Sequence, residues 1–328
     1  MIPLRKLLIH GLWLLALGAT LAGPARASAP ELKIAALKFG TVNWVMDVIK
    51  HHGLDRQNGF TLKTLGLASK NATTVAFLSG EVDGFVTDWF WVLRERARGS
   101  DIVQIPYSAS LGAVMVAKNS KIASLDDLAG TKIGVAGGPI DKSWLLLRAH
   151  QLKRGQGDLA QTASPIFAAP PLLNQQLVSA RADAVLNFWH FSARLEGAGY
   201  TRLASVSELM SALGIPVAVP LVGFVFPTSL DAAKPGIVAN FARALKGASA
   251  ILKTSDGEWE RLRPLMRTKS DGEFATLKKR YREGILNEWT EGHRTAAKAM
   301  FEVLKEIGGD KLTGAGTRFD PAMFWSSP

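Results

Sequence analysis

The fold is decided by two stretches that share one pattern, FLSGEVDGFVTDWFW at residues 77–91 and LVSARADAVLNFWHF at residues 177–191. Each is predicted to run from a helix end through a turn into a short apolar strand. Each strand then ends at Asp88 or Asn187, followed by aromatic residues. Since ligands of open α/β sheets bind beyond the carboxyl ends of strands, the pattern predicts two lobes that face one cleft. The alternative is a chance likeness, with Trp89 and Trp189 buried in their own lobes.

Strands and helices alternate around these stretches, which is typical of a mainly parallel sheet. Strands are predicted at residues 32–36, 61–65, 84–86, 102–106, 113–117, 132–135, 184–187 and 222–225. Helices are predicted at residues 44–52, 72–78, 90–98, 142–152, 172–179, 237–252, 258–267, 271–286 and 295–307. The fold class is therefore α/β with two lobes. Residues 28–108 with 222–328 are expected to form lobe 1 and residues 109–221 lobe 2, joined by two short strands that act as a hinge.

The first residues have the pattern of a signal peptide. Arg5 and Lys6 precede an apolar run over residues 7–21, and small residues surround Ala27. The run is too short to span a bilayer comfortably, so residues 1–27 are expected to be cleaved after export. The chain has no cysteine, which excludes disulfides, thiolate metal ligands, a catalytic thiol and a lipidated cysteine. We therefore expect the protein to be free in the periplasm.

The formal charge of the whole chain is +11, and loss of the three basic residues in residues 1–27 lowers it to +8. The surplus is spread along the chain rather than concentrated. A basic run at residues 278–282 is interpreted as a solvated helix face, so no nucleic-acid partner is expected. A positive field of this kind favours an anionic ligand or an anionic partner surface.

Three strings carry a family resemblance: GLDRQNGF at residues 53–60, FLSGEVDG at 77–84, which begins the first stretch quoted above, and SLDDLAGTKIGV at 124–135. With these strings the chain resembles substrate-binding proteins of bacterial ABC importers, in the nitrate, sulfonate, taurine and thiamine-pyrimidine branch. The resemblance implies a type II periplasmic-binding-protein fold with two α/β lobes joined by a two-strand hinge. It also implies a small-molecule ligand and an ABC permease in the inner membrane as partners. We expect a monomer that needs no cofactor.

The loops after the strands supply the candidate ligand contacts. Hydroxyl and amide groups with a cationic group would suit a sulfonate or nitrate, whereas the many rings would suit a cation or a flat heteroaromatic solute. The candidate ligand-binding residues are Lys38, Thr41, Asn43, Trp44, Ser69, Asn71, Asp88, Trp89, Ser108, Ser110, Gly138, Asp141, Asn187, Trp189 and His190.

The loop at residues 137–143 has two interpretations. Its glycines and the helix that follows could form a cradle for an anion, because helix N-termini present free N–H groups and a positive dipole end. The sequence Gly-Gly-Pro is also ordinary turn chemistry, and a carboxylate at Asp141 would compete with a bound anion.

Histidines and carboxylates give no metal site in this interpretation. His190 is expected to donate or accept one hydrogen bond to the solute. His51 and His52 are adjacent, and adjacent helical positions point apart, so they are not expected to bind a metal together. Asp47, Asp88 and Asp141 are not clustered enough in sequence to predict an oxygen-ligated cation.

The predicted function is periplasmic binding of a small organic solute by closure of the two lobes, followed by delivery to the permease. One alternative is an enzyme on the same fold that acts on a pyrimidine or a similar small molecule. No catalytic residue is predicted, because the sequence has no nucleophile motif such as Gly-x-Ser-x-Gly. A second alternative is an accessory protein that docks on a secreted oxidoreductase.

Overall fold

The computed structural model describes residues 29–326, so the predicted signal peptide lies outside the described residues. Ten strands are present within this range: β1 Glu31–Leu37, β2 Thr61–Leu67, β3 Gly84–Asp88, β4 Ile102–Ser108, β5 Ala113–Val116, β6 Lys132–Ala136, β7 Ser164–Ala168, β8 Ala184–Asn187, β9 Thr201–Ser205 and β10 Val222–Pro227. None of the helices in this range has the length and apolar character that a bilayer crossing needs.

Fourteen α-helices connect or follow the strands of the described range: α1 Val42–His51, α2 Leu54–Gln57, α3 Lys70–Leu78, α4 Trp89–Ala97, α5 Lys142–Lys153, α6 Leu159–Thr162, α7 Pro170–Val178, α8 Trp189–Gly197, α9 Val206–Ala212, α10 Leu230–Ala233, α11 Ile237–Thr254, α12 Asp256–Met266, α13 Asp271–Glu283 and α14 Glu291–Thr313. Helix α14 contains a kink at Gly309, where the backbone is not helical. Two short 3-10 helices lie at Leu125–Leu128 and Pro321–Met323.

The strands form two five-stranded sheets with the same internal plan. The first sheet has the order β2-β1-β3-β10-β4 and the second has the order β7-β6-β8-β5-β9. In each, the first three strands are parallel and the fourth runs antiparallel to both of its neighbours. The sheets are mainly parallel as predicted, with one reversed strand in each, β10 and β5. Each comes directly from the other lobe and enters its sheet from the carboxyl end, so it must run against the rest.

The two matching stretches occupy equivalent places, because β3 and β8 are the third strands of their sheets. Asp83 in the first stretch and Asp183 in the second make the same hydrogen bond. Asp83 accepts a hydrogen bond from the backbone N–H of Lys33 at 2.8 Å, and Asp183 accepts one from the N–H of Lys132 at 2.8 Å. Each carboxylate therefore fixes the start of the third strand to the neighbouring strand. This common pairing gives the repeat a structural origin, and it also makes the two strand tips equivalent.

Helices of the last section contact both lobes, where a lobe is a sheet with the helices packed on it. Helix α13 contributes buried side chains to the core of the first lobe and also packs against α8 of the second. At this contact Arg194 pairs with Glu273 at 3.1 Å and Arg280 with Glu196 at 2.5 Å. Helix α14 packs against α5. The lobe boundaries expected from the sequence stay a prediction, because helices α13 and α14 pack against elements of both lobes.

Several elements escaped the sequence pattern. Strands β7 and β9 and helices α8 and α9 were not predicted. Strand β7 begins Ser164-Pro165 and is largely half-exposed, so it lacks the apolar run that marks a buried strand. Helix α8 begins at Trp189, directly after Phe188. The sequence pattern places both aromatic residues in a ligand-binding loop, so it does not predict a helix there.

Gly112 lies where the chain crosses from the first lobe to the second. A Cβ atom there would sit 2.1 Å from the carbonyl oxygen of Asn187, which belongs to the backbone of β8 and has no room to retreat. We expect Gly112→Ala to lower the free energy of unfolding by about 2 kcal/mol, measured by urea denaturation. The control is Gly257→Ala in α12, where only Ser255 Oγ lies as close as 4.0 Å. That change should be neutral or stabilising, and equal losses at both positions would contradict the steric argument.

Candidate functional site

Four helices begin where strands of the two sheets end, and they begin close to one another. Helices α3 and α4 belong to the first lobe, and their N-caps are Ser69 and Asp88. Helices α5 and α8 belong to the second, and their N-caps are Asp141 and Phe188. The positive ends of four helix dipoles therefore meet between the lobes. This place, here called the inter-lobe cleft, is the candidate functional site.

An ion pair spans the inter-lobe cleft. The ammonium Nζ of Lys142, in the first turn of α5, lies 3.0 Å from the carboxylate of Asp88, and both side chains are mostly buried. Burial alone would raise the pKa of Asp88, but the nearby Lys142, with Lys70 and Arg94 further off, outweighs burial and holds this pKa below its usual value. Asp88 is therefore a carboxylate at neutral pH, with one oxygen on the backbone N–H of Trp91 at 3.2 Å.

A second contact spans the same cleft. The ammonium of Lys70, at the start of α3, lies 5.4 Å from the ring centre of Phe188, which follows β8 and is the N-cap of α8. The ammonium of Lys142 lies 5.7 Å from the ring of Phe90. Neither Lys70 nor Phe188 was among the candidate residues. Both lie in the loops after strands that the sequence marked, so the loop positions were the available signal.

The carboxylate of Asp141 caps helix α5 and occupies the loop at residues 137–143. It accepts hydrogen bonds from the N–H groups of Ser143 at 2.9 Å and Trp144 at 3.4 Å. Burial raises its pKa, although Lys142 and Lys70 act in the opposite direction. The carboxylate folds over Gly137, whose φ of +88° and lack of a side chain are both required there. The N–H groups that an anion cradle would need are thus occupied, and the geometry is that of a capped turn.

Trp89, one of the candidate ligand-binding residues, does not line the inter-lobe cleft. Trp89 is fully buried, and its ring stacks on Phe90 with centres 4.0 Å apart. Its other ring neighbours are Phe319 and Phe324 of the C-terminal segment. The ring therefore packs inside the apolar core. The reason is the C-terminal segment, because Phe319 and Phe324 pack against the start of α4 and cover the ring.

Trp189 packs in a different aromatic cluster. Its ring lies edge-on to Trp44 at 6.0 Å and to Tyr281 at 5.9 Å. Trp44 is buried and also contacts Trp259 at 5.9 Å. The rings of Trp44, Trp189, Trp259 and Tyr281, here called the aromatic hub, thus join α1 and the last section to α8. Tyr281 comes from α13, far along the chain, and no sequence signal linked it to this place.

His190 lies beside the aromatic hub with one nitrogen unused. Its ring centre lies 4.4 Å from that of Phe191 and 5.6 Å from that of Trp189. Within residues 29–326, its buried Nδ1 has no hydrogen-bond partner. Burial, with a smaller contribution from Arg194, lowers the pKa of His190 from 6.5 to about 3. The ring is therefore neutral at physiological pH, with a nitrogen that can bond to a solute.

The remaining polar candidates divide into internal bonds and exposed groups. The amide of Asn187 bonds to Pro170 O at 2.9 Å and to Asn174 Oδ1 at 2.8 Å. Asn43 donates to Leu37 O and Gly40 O, both at 2.8 Å. The others are placed as follows: Ser108 and Ser110 bond to carbonyls of α13 and its end, Ser69 caps α3, Thr41 precedes α1, Gly138 forms a turn with φ of +92°, and Lys38 and Asn71 are exposed.

The cleft is therefore suited to non-covalent binding of a small charged molecule. It offers two ammonium groups, Lys70 and Lys142, and two carboxylates, Asp88 and Asp141, at the ends of four helices. Such an arrangement can bind a small molecule through charged and hydrogen-bonding groups, with Phe90 and Phe188 as apolar walls. It contains no thiol, because the chain has no cysteine.

Comparison with known proteins decides the family. A family model described as NMT1/THI5 like matches residues 48–254, which is more than half of the chain. The chain belongs to the NMT1/THI5-like family. A comparison with curated proteins finds no match.

Solved structures of this family's fold type resemble the chain over most of its length. The alkanesulfonate-binding protein SsuA from Xanthomonas axonopodis pv. citri, bound to MOPS, superposes with a TM-score of 0.69 at 16% identity, covering 91% of this chain and 99% of that chain. The periplasmic aliphatic sulphonate binding protein SsuA from Escherichia coli gives 0.69 at 15% identity, with 91% and 94% covered. The desulfurization enzyme DSZB gives 0.60 at 14% identity, with 85% and 92% covered. The fold is thus that of periplasmic binding proteins with two lobes, and it also occurs in an enzyme.

Proposed function

We propose that this protein is the periplasmic solute-binding component of an ABC importer. It binds one small organic solute in the inter-lobe cleft and delivers it to a permease in the inner membrane. The observation that carries the proposal is the meeting of strand ends from the two lobes, bridged by Lys142 after β6 and Asp88 at the end of β3, 3.0 Å apart. The fold shared with two sulfonate-binding proteins supports the same role.

The charges of the cleft indicate how a solute would be held. An anionic group such as a sulfonate would bind Lys70 and Lys142, and it would displace Asp88 from Lys142. A hydrogen-bond donor or a cation on the same solute would then take the freed carboxylate. Because α13 and α14 pack on α8 and α5, the lobes would move little along that side. Closure would be concentrated where Lys142 meets Asp88.

The test is a thermal-shift screen followed by titration of any stabilising solute. The panel contains aliphatic sulfonates, taurine, nitrate, pyrimidines, quaternary amines and amino acids. A solute present at about one hundred times its dissociation constant should stabilise the folded protein by about 2.7 kcal/mol. Lys142→Met and Lys70→Met should each weaken binding of an anionic solute at least tenfold, measured by calorimetry.

Lys118→Met is the matched control. Lys118 is exposed and follows β5 at the end of the second sheet opposite to the cleft, since Val116 pairs with the first residue of β8. Its replacement should leave the affinity unchanged. Absence of stabilisation by every solute, together with turnover of a small molecule or tight binding to another protein, would overturn the proposal. Equal loss of affinity in all three lysine variants would show a general charge effect and would overturn the site.

A further inference from the structure

Three side chains with metal-binding atoms meet at the far end of α1. They are His51, His52 and Glu258, whose ligand atoms all lie within 4.8 Å of one another. The two imidazole centres are 5.0 Å apart with their planes at 89°, and His52 Nε2 lies 3.1 Å from Glu258 Oε2. Helix α1 begins at the strand tips and ends here, roughly 14 Å further along its axis. The cluster is therefore separate from the inter-lobe cleft.

The two adjacent histidines converge at the end of helix α1. The helix ends at His51, and His52 is the C-cap, with φ −86° and ψ 1°. Gly53 follows with φ of +63°, and the carbonyl of His52 accepts a bond from Gln57 Nε2 at 2.9 Å. The N–H of His52 still donates to Val48 O at 3.1 Å, so His52 keeps a helical backbone position and its side chain reaches Glu258 from there. The expectation that the two rings point apart does not describe the structure, because both imidazoles lie beside Glu258.

The third group is held in place by its own partners. Glu258 is buried, with 6% of its side chain exposed, and its Oε1 binds Arg261 at 2.6 Å. Arg261 is also paired with Asp47 of α1. These contacts use one carboxylate oxygen and leave the other, Oε2, directed at His52. A ligand oriented by a hydrogen bond on its far side is the usual arrangement in metal sites.

We propose that His51, His52 and Glu258 bind one Zn²⁺ ion, with water as the fourth ligand. Two imidazoles and one carboxylate are a donor set that zinc uses in proteins, with bonds of roughly 2.0 to 2.2 Å. Two such donors on a tetrahedral ion lie roughly 3.3 Å apart, close to the 3.1 Å between His52 Nε2 and Glu258 Oε2. The two histidines are exposed, so the ion can enter from solvent. The ion would join α1 to α12, 206 positions apart along the chain.

The test uses protein made without a histidine tag and titrated with zinc chloride in a calorimeter. We expect one ion per chain. His51→Gln, His52→Gln and Glu258→Gln should each weaken binding at least tenfold, and zinc should raise the melting temperature of the parent protein but not of His52→Gln. Co²⁺ as a probe should give the intense visible bands of a tetrahedral site, and these bands should be lost in Glu258→Gln.

His150→Gln is the matched control, because His150 lies on α5 of the second lobe and contacts Gln151 at 3.2 Å. It should bind zinc like the parent protein. Circular dichroism of each variant identifies any that fails to fold, and the two remaining variants then carry the test. The proposal is overturned if the parent protein shows no saturable binding, or if binding survives in the three cluster variants. It is also overturned if His150→Gln loses as much affinity as they do.

Discussion

Replacing Trp44 by alanine should lower the free energy of unfolding by about 3–5 kcal/mol, the usual cost of removing a large buried ring. Trp44 is 4% exposed and contacts Trp189, Trp259 and Tyr281 with ring centres 5.7 to 6.0 Å apart. Its removal leaves a cavity at the centre of the aromatic hub, where α1, α8, α12 and α13 meet. Urea denaturation followed by circular dichroism measures the loss.

The control for this prediction is Phe39→Ala. Phe39 lies five residues earlier, is 68% exposed, and has the guanidinium of Arg267 at 4.6 Å as its cationic neighbour. Exposed contacts of this kind contribute ~0.5–1 kcal/mol, so the control should lose no more than that. A Trp44→Ala protein that keeps its stability but binds the solute weakly would contradict the packing role. It would instead support the ligand-binding role that the sequence pattern predicted.

The strand tips could be located from sequence because local chemistry fixes them. The apolar strand, the turn before it and the polar residue after it are all encoded within fifteen residues. Asn187 was therefore placed correctly at the end of β8, whereas β3 runs two residues beyond the strand predicted at residues 84–86 and finishes at Asp88. The reversed direction of β5 and β10 was not visible, because it depends on which lobe the chain comes from. No local pattern records that.

The directions of the rings could not be predicted for a related reason. An aromatic residue after a strand can face a cleft or the core, and the choice depends on what packs against the helix that follows. Trp89 meets Phe319 and Phe324, which lie more than two hundred positions later. Partners at such separations are set by the tertiary fold. Composition near the tips therefore marked the strand ends but could not give the direction of the Trp89 ring.

Acidification should destabilise the protein well before its carboxylates protonate, because of His190. Burial lowers the pKa of this imidazole from 6.5 to about 3 in the folded protein. Between these values the unfolded chain binds one proton more than the folded chain, so stability falls as the pH falls. The loss is absent above pH 6.5 and approaches about 1.4 kcal/mol per pH unit below it. At pH 4.5 it should reach about 3 kcal/mol.

The pH window separates this effect from that of the carboxylates. The pKa of Asp88 is held low by Lys142 against the opposing effect of burial, and that of Asp158 is held low by its hydrogen bond with Arg148. Groups of this kind stabilise the fold above their unfolded pKa and lose that contribution only below about pH 4. Asp141 acts in the opposite direction, because burial raises its pKa and the folded protein takes up its proton first. The decline in unfolding free energy between pH 8 and pH 4.5, measured by urea denaturation, is therefore assigned to His190 by comparing variants.

His190→Leu tests the assignment, since leucine is close to histidine in size and cannot be protonated. The Nδ1 of His190 has no hydrogen-bond partner within the described residues. Replacing the imidazole should therefore change the free energy of unfolding little at pH 8. The variant should lose most of the decline in stability between pH 6.5 and pH 4.5. His293→Gln is the control: burial lowers the pKa of His293 as well, but this imidazole caps α14 and is only half-buried. A decline that persists in His190→Leu and disappears in His293→Gln would assign the acid sensitivity to the start of α14 instead of the cleft.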